Sequence, residues 1–173
     1  MSRAVVLRDW LAPALPLVFC GVNPGLQAAA DDRPFAGRGN RFWAVLHEAG
    51  FTLERFGPDD ADRLLGLGVG ITAFVRRPTA GVDALSTAEL SAAAPAFLAR
   101  MRALAPRRIA FLGKASVVAI TGRRAVPWGL QPEPIAGAQA WVLPNPSGRN
   151  RGYSMIDLVS AYRVLRTSIV AEH

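Results

Sequence analysis

The chain has 173 residues, 51% of them hydrophobic and 19% charged, which suits one domain with a sizeable core and excludes a disordered segment. Twenty Lys and Arg (20) against 13 Asp and Glu leave a net charge of +7, compatible with a polyanionic partner. One Cys and two His exclude an iron–sulfur cluster or a structural zinc site within one chain, and the lone Cys20 fits a reducing compartment.

Residues 1–16, with Pro13 and Pro16, read as a segment that wraps the surface. Arg8 and Asp9 interrupt the apolar Ala4 to Leu7, a poor signal-peptide pattern, and no apolar run approaches a membrane span. Leu17 to Cys20 is a buried strand that breaks into Gly21-Val22-Asn23-Pro24-Gly25, a turn that leaves the Asn23 amide at the strand's carboxyl end. Ligands of open α/β sheets bind there. Residues 27–39 read as a long loop without periodicity.

Asn40 is expected to cap a helix through Ala49, stopped by Gly50, and a second short helix runs from Pro58 to Leu65. Val69 to Val75 is strand two, followed by the loop Arg76-Arg77-Pro78-Thr79. Ser86 and Glu89 predict a capping box, and Pro95 a kink or restart, in a helix that buries Phe97, Met101 and Leu104. Arg108 to Leu112 is strand three and Lys114 to Thr121 a short helix. The proline-bearing stretch 123–137 reads as irregular, and Ala140 to Leu143 as strand four. It ends in a second turn of the same kind, Pro144-Asn145-Pro146-Ser147-Gly148. Ser154 and Asp157 predict a capping box for a final helix with Leu158, Val159, Tyr162, Leu165 and Ile169 as its buried stripe.

Strands alternating with helices predict an α/β fold: a three-layer domain over 1–173, with a mostly parallel sheet of about four strands covered on both faces. The glycines at 66, 68 and 70 precede a strand, where a dinucleotide loop would follow one. Gly113-Lys114 lacks the upstream glycine of a phosphate loop. Neither His47 nor His173 has a Ser or Cys partner by spacing.

Gly21-Val22-Asn23-Pro24-Gly25-Leu26, Pro34-Phe35-Ala36, Asn40-Arg41-Phe42-Trp43 and Asn145-Pro146-Ser147-Gly148, in that order, resemble the mismatch-specific uracil-DNA glycosylases, which share a superfamily with thymine-DNA glycosylase. The resemblance covers roughly Leu17 to Val170. It implies a uracil-DNA glycosylase-like fold and removal of uracil, or another pyrimidine, from G-mismatched duplex DNA, leaving an abasic site. It also implies that Asn23 positions the water attacking the sugar C1′, and that Phe35 covers the flipped base in a pocket with Gly21, Val22, Ala28 and Asn145. The loop of Pro146, Ser147, Gly148 and Arg149, with Arg151 beside it, would wedge the duplex.

Two positions depart from the bacterial mismatch enzymes. Arg149 stands where they have Leu, and Ala28 where some relatives have Ser; both are closer to the thymine-active branch. An amide takes no proton at neutral pH, so the chain either works slowly without a carboxylate or recruits one from a loop, with Asp83, after a strand end, ahead of Asp31 and Asp32. No metal or cofactor is expected, and no lyase step, since neither motif holds a lysine. The expected setting is a monomer in the cytoplasm at the nucleoid. Readings from other classes are a non-catalytic mismatch or abasic-site binding protein and a small-molecule nucleoside hydrolase.

Overall fold

The computed structural model describes residues 6–172. Five strands, β1 (Leu17–Gly21), β2 (Val69–Ala73), β3 (Arg108–Leu112), β4 (Gly129–Leu130) and β5 (Gln139–Leu143), form one sheet in the order β2-β1-β3-β5-β4. The first three and β5 run parallel, and β4 pairs antiparallel with β5. The fifth strand is an addition to the expected four and comes from the stretch expected to be irregular. Gly129, at φ +84°, turns the chain onto the β5 edge, and the Gln131 N–H donates to the Ala140 carbonyl at 2.8 Å.

Six helices complete the fold: α1 (Leu26–Asp31), α2 (Phe42–Glu48), α3 (Ala61–Gly66), α4 (Thr87–Leu104), α5 (Ala115–Thr121) and α6 (Met155–Ala171). Strand residues alternate between two faces. Leu17, Phe19, Ala110, Leu112, Trp141 and Leu143 join the side chains of α2, α3 and α6 in one core. Cys20, Ile109, Phe111, Ala140 and Val142 join those of α4 and α5 in the other. The result is the α/β sandwich of three layers predicted from the alternation of elements. No helix of the described residues is long and apolar enough to cross a membrane.

The N-terminal segment lies partly outside the described residues. It meets the outer edge of β2 at Trp10, which exchanges two backbone hydrogen bonds of 2.9 Å with Ile71, and then reaches the end of α4, where the Ala14 N–H donates to the Leu104 carbonyl at 2.8 Å.

Three local expectations are corrected. The stretch after Gly25 is not a plain loop, because Ala28 and Ala29 are buried and hold the short helix α1, which Asp32 closes in the left-handed conformation. Its buried residues are small, so no large-residue periodicity advertised it. Pro95 neither ends nor restarts α4. It sits on the solvent face, where the carbonyl it leaves free reaches water, while Ala94, Phe97 and Met101 anchor both halves of the helix. At the start of α4 only half the capping box forms: the Ser86 hydroxyl accepts from the Glu89 N–H at 3.0 Å, and the Glu89 carboxylate turns to Arg77. The box of α6 closes both ways, Ser154 with Asp157.

Candidate active site

The parallel strands all end on one edge of the sheet, and the antiparallel β4 begins there. A cleft of about 970 Å³ opens along this edge. Gly21, Val22, Asn23, Ala28, Phe35, Asp83, Asn145, Ser147, Gly148 and Arg149 all line it. Pro146 is buried and does not, and Arg151 is exposed away from the lining.

Asn23 is held by the loop that follows β2. Its Nδ2 donates to the Arg77 carbonyl at 2.9 Å and to the Thr79 hydroxyl at 2.7 Å. A carbonyl only accepts, so the atom facing Arg77 is the amide nitrogen. Oδ1 is left as the acceptor of a residue that lines the cleft. Thr79, itself buried, donates its hydroxyl proton to the Gly81 carbonyl at 2.7 Å, and its N–H bonds the Pro24 carbonyl at 3.1 Å. Outside this clamp the Arg77 guanidinium grips Glu89 with two bonds, of 2.7 and 2.8 Å. That fork raises the Arg77 pKa and lowers that of Glu89. Arg77 is exposed and Glu89 half-buried, so the pair is an orienting device more than a source of stability.

Phe35 adopts φ +57°, a backbone strain that bulky side chains rarely accept. One face of its ring stacks on Phe42 at 3.9 Å between centroids. Core packing is therefore part of its role, contrary to what its place in a polar stretch suggested. The ring also lines the cleft beside Gly21, where an added Cβ would come within 3.9 Å of Phe35 Cε1.

The second Asn-Pro turn is held from below by Arg41. Its guanidinium donates to the carbonyls of Tyr153, Ser147 and Asn150 at 2.7, 3.2 and 3.0 Å, and its N–H to that of Pro146 at 3.0 Å. Asn145 Oδ1 accepts the Ser147 N–H at 3.0 Å, and Asn150 Nδ2 returns to the Asn145 carbonyl at 2.9 Å. Gly148 lies flat against Gly39: a Cβ on Gly148 would stand 2.9 Å from the Gly39 carbonyl oxygen. The loops before α2 and after β5 are thereby locked to each other.

Asp83 is the one acidic side chain lining the cleft among the described residues, against Arg38, Lys114 and Arg149. Gly81 separates it from Arg149: Asp83 Oδ1 and Arg149 Nη1 lie 2.7 and 3.2 Å from where a Gly81 Cβ would stand. Asp31 and Asp32 are engaged outside the cleft, by Gln27 at 2.6 Å and Arg8 at 3.2 Å. Burial pushes the Cys20 thiol far up, so it stays protonated and is no nucleophile. Among the described residues no group of three His, Cys, Asp or Glu is placed to hold a metal ion.

Sequence reasoning missed Thr79, Arg77 and Arg41 as parts of the site. Thr79 left a faint signal, a Thr in a polar loop at a strand's carboxyl end. Arg41 stood in one of the resembling motifs, but its role left no signal, because its partners lie 106 to 112 residues away.

This architecture is an α/β sandwich with a cleft along the carboxyl edge of its parallel strands, where such folds bind ligands. A family profile, the uracil DNA glycosylase superfamily, matches residues 9–166. The chain belongs to that superfamily of DNA glycosylases. Its fold is similar to the solution NMR structure of a Methanosarcina acetivorans protein provisionally assigned as a uracil DNA glycosylase. The two share 17% identity at a TM-score of 0.53, over 94% of this chain and 98% of the other.

Proposed function

We propose that the protein is a monofunctional glycosylase acting on uracil in G-mismatched duplex DNA. The carrying observation is the Asn23 amide, whose nitrogen is held by Arg77 and Thr79 and whose oxygen is left as its acceptor, on a residue that lines the same cleft as Phe35. An acceptor held this way, with no freedom to rotate, can orient a water for in-line attack on C1′. The base would lie against the free face of Phe35, and the Gly21 backbone leaves room beside the ring.

In the proposed reaction the flipped pyrimidine enters between Phe35 and the β1 turn, with backbone amides near Val22 and Phe35 at its edge. The N-glycosidic bond breaks, the electron pair leaves on the base, and those amides stabilise the anion. Water oriented by Asn23 Oδ1 adds to C1′. Asp83 favours the developing positive charge on the sugar and takes the proton of the water. Arg149 fills the space vacated in the duplex, where unstacking costs a few kcal/mol. Ala28, buried at the cleft floor, leaves more room than Ser would, which extends the substrate range towards thymine. The only lysine of the chain stands over Trp128, and no Schiff base is proposed. The protein is proposed to act as a monomer at the nucleoid.

Single-turnover base release from duplexes carrying G·U, A·U or G·T, and from single-stranded uracil DNA, tests the reading. Release from G·U that disappears in Asn23→Ala is expected, and release from G·T would reveal the wider pocket. Tight binding with no release from any substrate would replace the enzyme by a non-catalytic binder.

A further inference from the structure

The rim of the cleft carries a group of side chains with no part in the reaction above. Trp128 immediately precedes β4, and the antiparallel polarity of that strand brings it to the edge where the parallel strands end. It is 45% exposed, whereas Trp10, Trp43 and Trp141 are 3%, 5% and 4% exposed. An indole left in water next to a cleft is an unspent stacking surface.

Two neighbours hold it. The Lys114 ammonium stands 4.5 Å from the ring centroid, and Tyr153 meets it edge-on at 5.7 Å and 70°. All three line the cleft. No carboxylate of the described residues lies within 4.0 Å of Lys114, so its charge is uncommitted apart from the ring. Lys114 begins α5 just after Gly113, the turn at the end of β3, while Tyr153 belongs to the loop that carries Arg149. The cluster therefore joins the β3, β4 and β5 ends of the cleft, on the side away from the loop that clamps Asn23.

We propose that Trp128, Lys114 and Tyr153 form a second nucleotide subsite, which stacks an unpaired base of single-stranded DNA on the indole and places its phosphate on the Lys114 ammonium. An aromatic face accepts any base, because stacking needs only a π-surface, and a single ammonium reads a phosphate without regard to sequence. Neither feature recognises a lesion. The subsite thus gives the chain a hold on DNA strands that is independent of the base to be excised. The inference rests on reading the cleft as a DNA site, not on the glycosylase chemistry.

The test uses the full chain and a short oligothymidylate as probe. Quenching of the intrinsic fluorescence by a stacked base reports the exposed indole, since the other three tryptophans emit from buried positions that the base does not reach. Stacking is expected to quench the emission of the unmodified protein on titration. Trp128→Phe keeps a stacking ring and should bind within about threefold of the unmodified protein while the quenching disappears. Trp128→Ala should weaken binding about tenfold, in line with one lost base–aromatic stack. Lys114→Ala should lower the slope of log affinity against log salt by about one ion. Unchanged oligothymidylate affinity in Trp128→Ala, or emission that does not respond to the probe, overturns the subsite. If that happens while base release from G·U persists, the subsite falls and the glycosylase reading stands. If the unmodified protein neither binds oligothymidylate nor releases base, the reading of the cleft as a DNA site falls with it.

Discussion

Asn23 and Thr79, 56 residues apart in the chain, meet at 2.7 Å, and this contact joins the Arg77 carbonyl in holding the amide nitrogen of Asn23. Thr79→Val keeps the shape of the side chain and removes the hydroxyl. With only the Arg77 carbonyl left to hold it, Asn23 should orient water less well, and base release should fall about tenfold, the value of one hydrogen bond. Thr79→Ser should restore it. Single-turnover rates on G·U duplex decide, and a Thr79→Val enzyme at full rate would remove Thr79 from the site.

Gly148→Ala tests the lock between the two loops. The added Cβ would stand 2.9, 3.1 and 3.3 Å from the Gly39 O, C and Cα, all backbone atoms that cannot swing aside. A loss of about 1–3 kcal/mol is expected in urea unfolding, together with weaker binding of mismatched duplex. Unchanged stability and affinity would mean that the loops separate freely.

Asp83→Ala separates two effects of one charge. Removing the one acid of the cleft lining among the described residues should tighten duplex binding, because Arg38, Lys114 and Arg149 are then unopposed. If the carboxylate serves the reaction, single-turnover release drops tenfold to about a hundredfold in the same variant. Tighter binding at an unchanged rate would leave Asp83 without a chemical role.

Alkaline pH should destabilise the fold through two buried groups. Burial pushes the Cys20 thiol far above its ordinary value of 9.0 and the Tyr162 hydroxyl well above 10.0. In the unfolded chain both ionise near those ordinary values, while in the folded chain both keep their protons. The unfolded state then binds fewer protons, so stability is full below about pH 9 and falls as pH rises beyond it. Urea midpoints between pH 7 and pH 10.5 check this, and Cys20→Ala should flatten the first part of the decline.

Legibility followed distance along the chain. The Ser154–Asp157 box, the four parallel strands and the stripe of Leu158, Tyr162 and Leu165 were readable, because each depends on residues a few positions apart, whereas β4 was not. Helix α1 escaped because its buried residues are alanines, and the restart expected at Pro95 did not occur because Ala94, Phe97 and Met101 pack on both sides of it.

By itself the sequence determined the layered α/β architecture and two Asn-Pro turns at strand ends, since turn chemistry and apolar periodicity are local properties of the backbone. Only the tertiary structure decided how those turns are used. Sheet order brings the loop after β2 against Asn23, Arg41 beneath the Asn145 turn, and Trp128 to the rim. Each of these contacts joins residues tens of positions apart, so it forms only when strand register sets the distance between them.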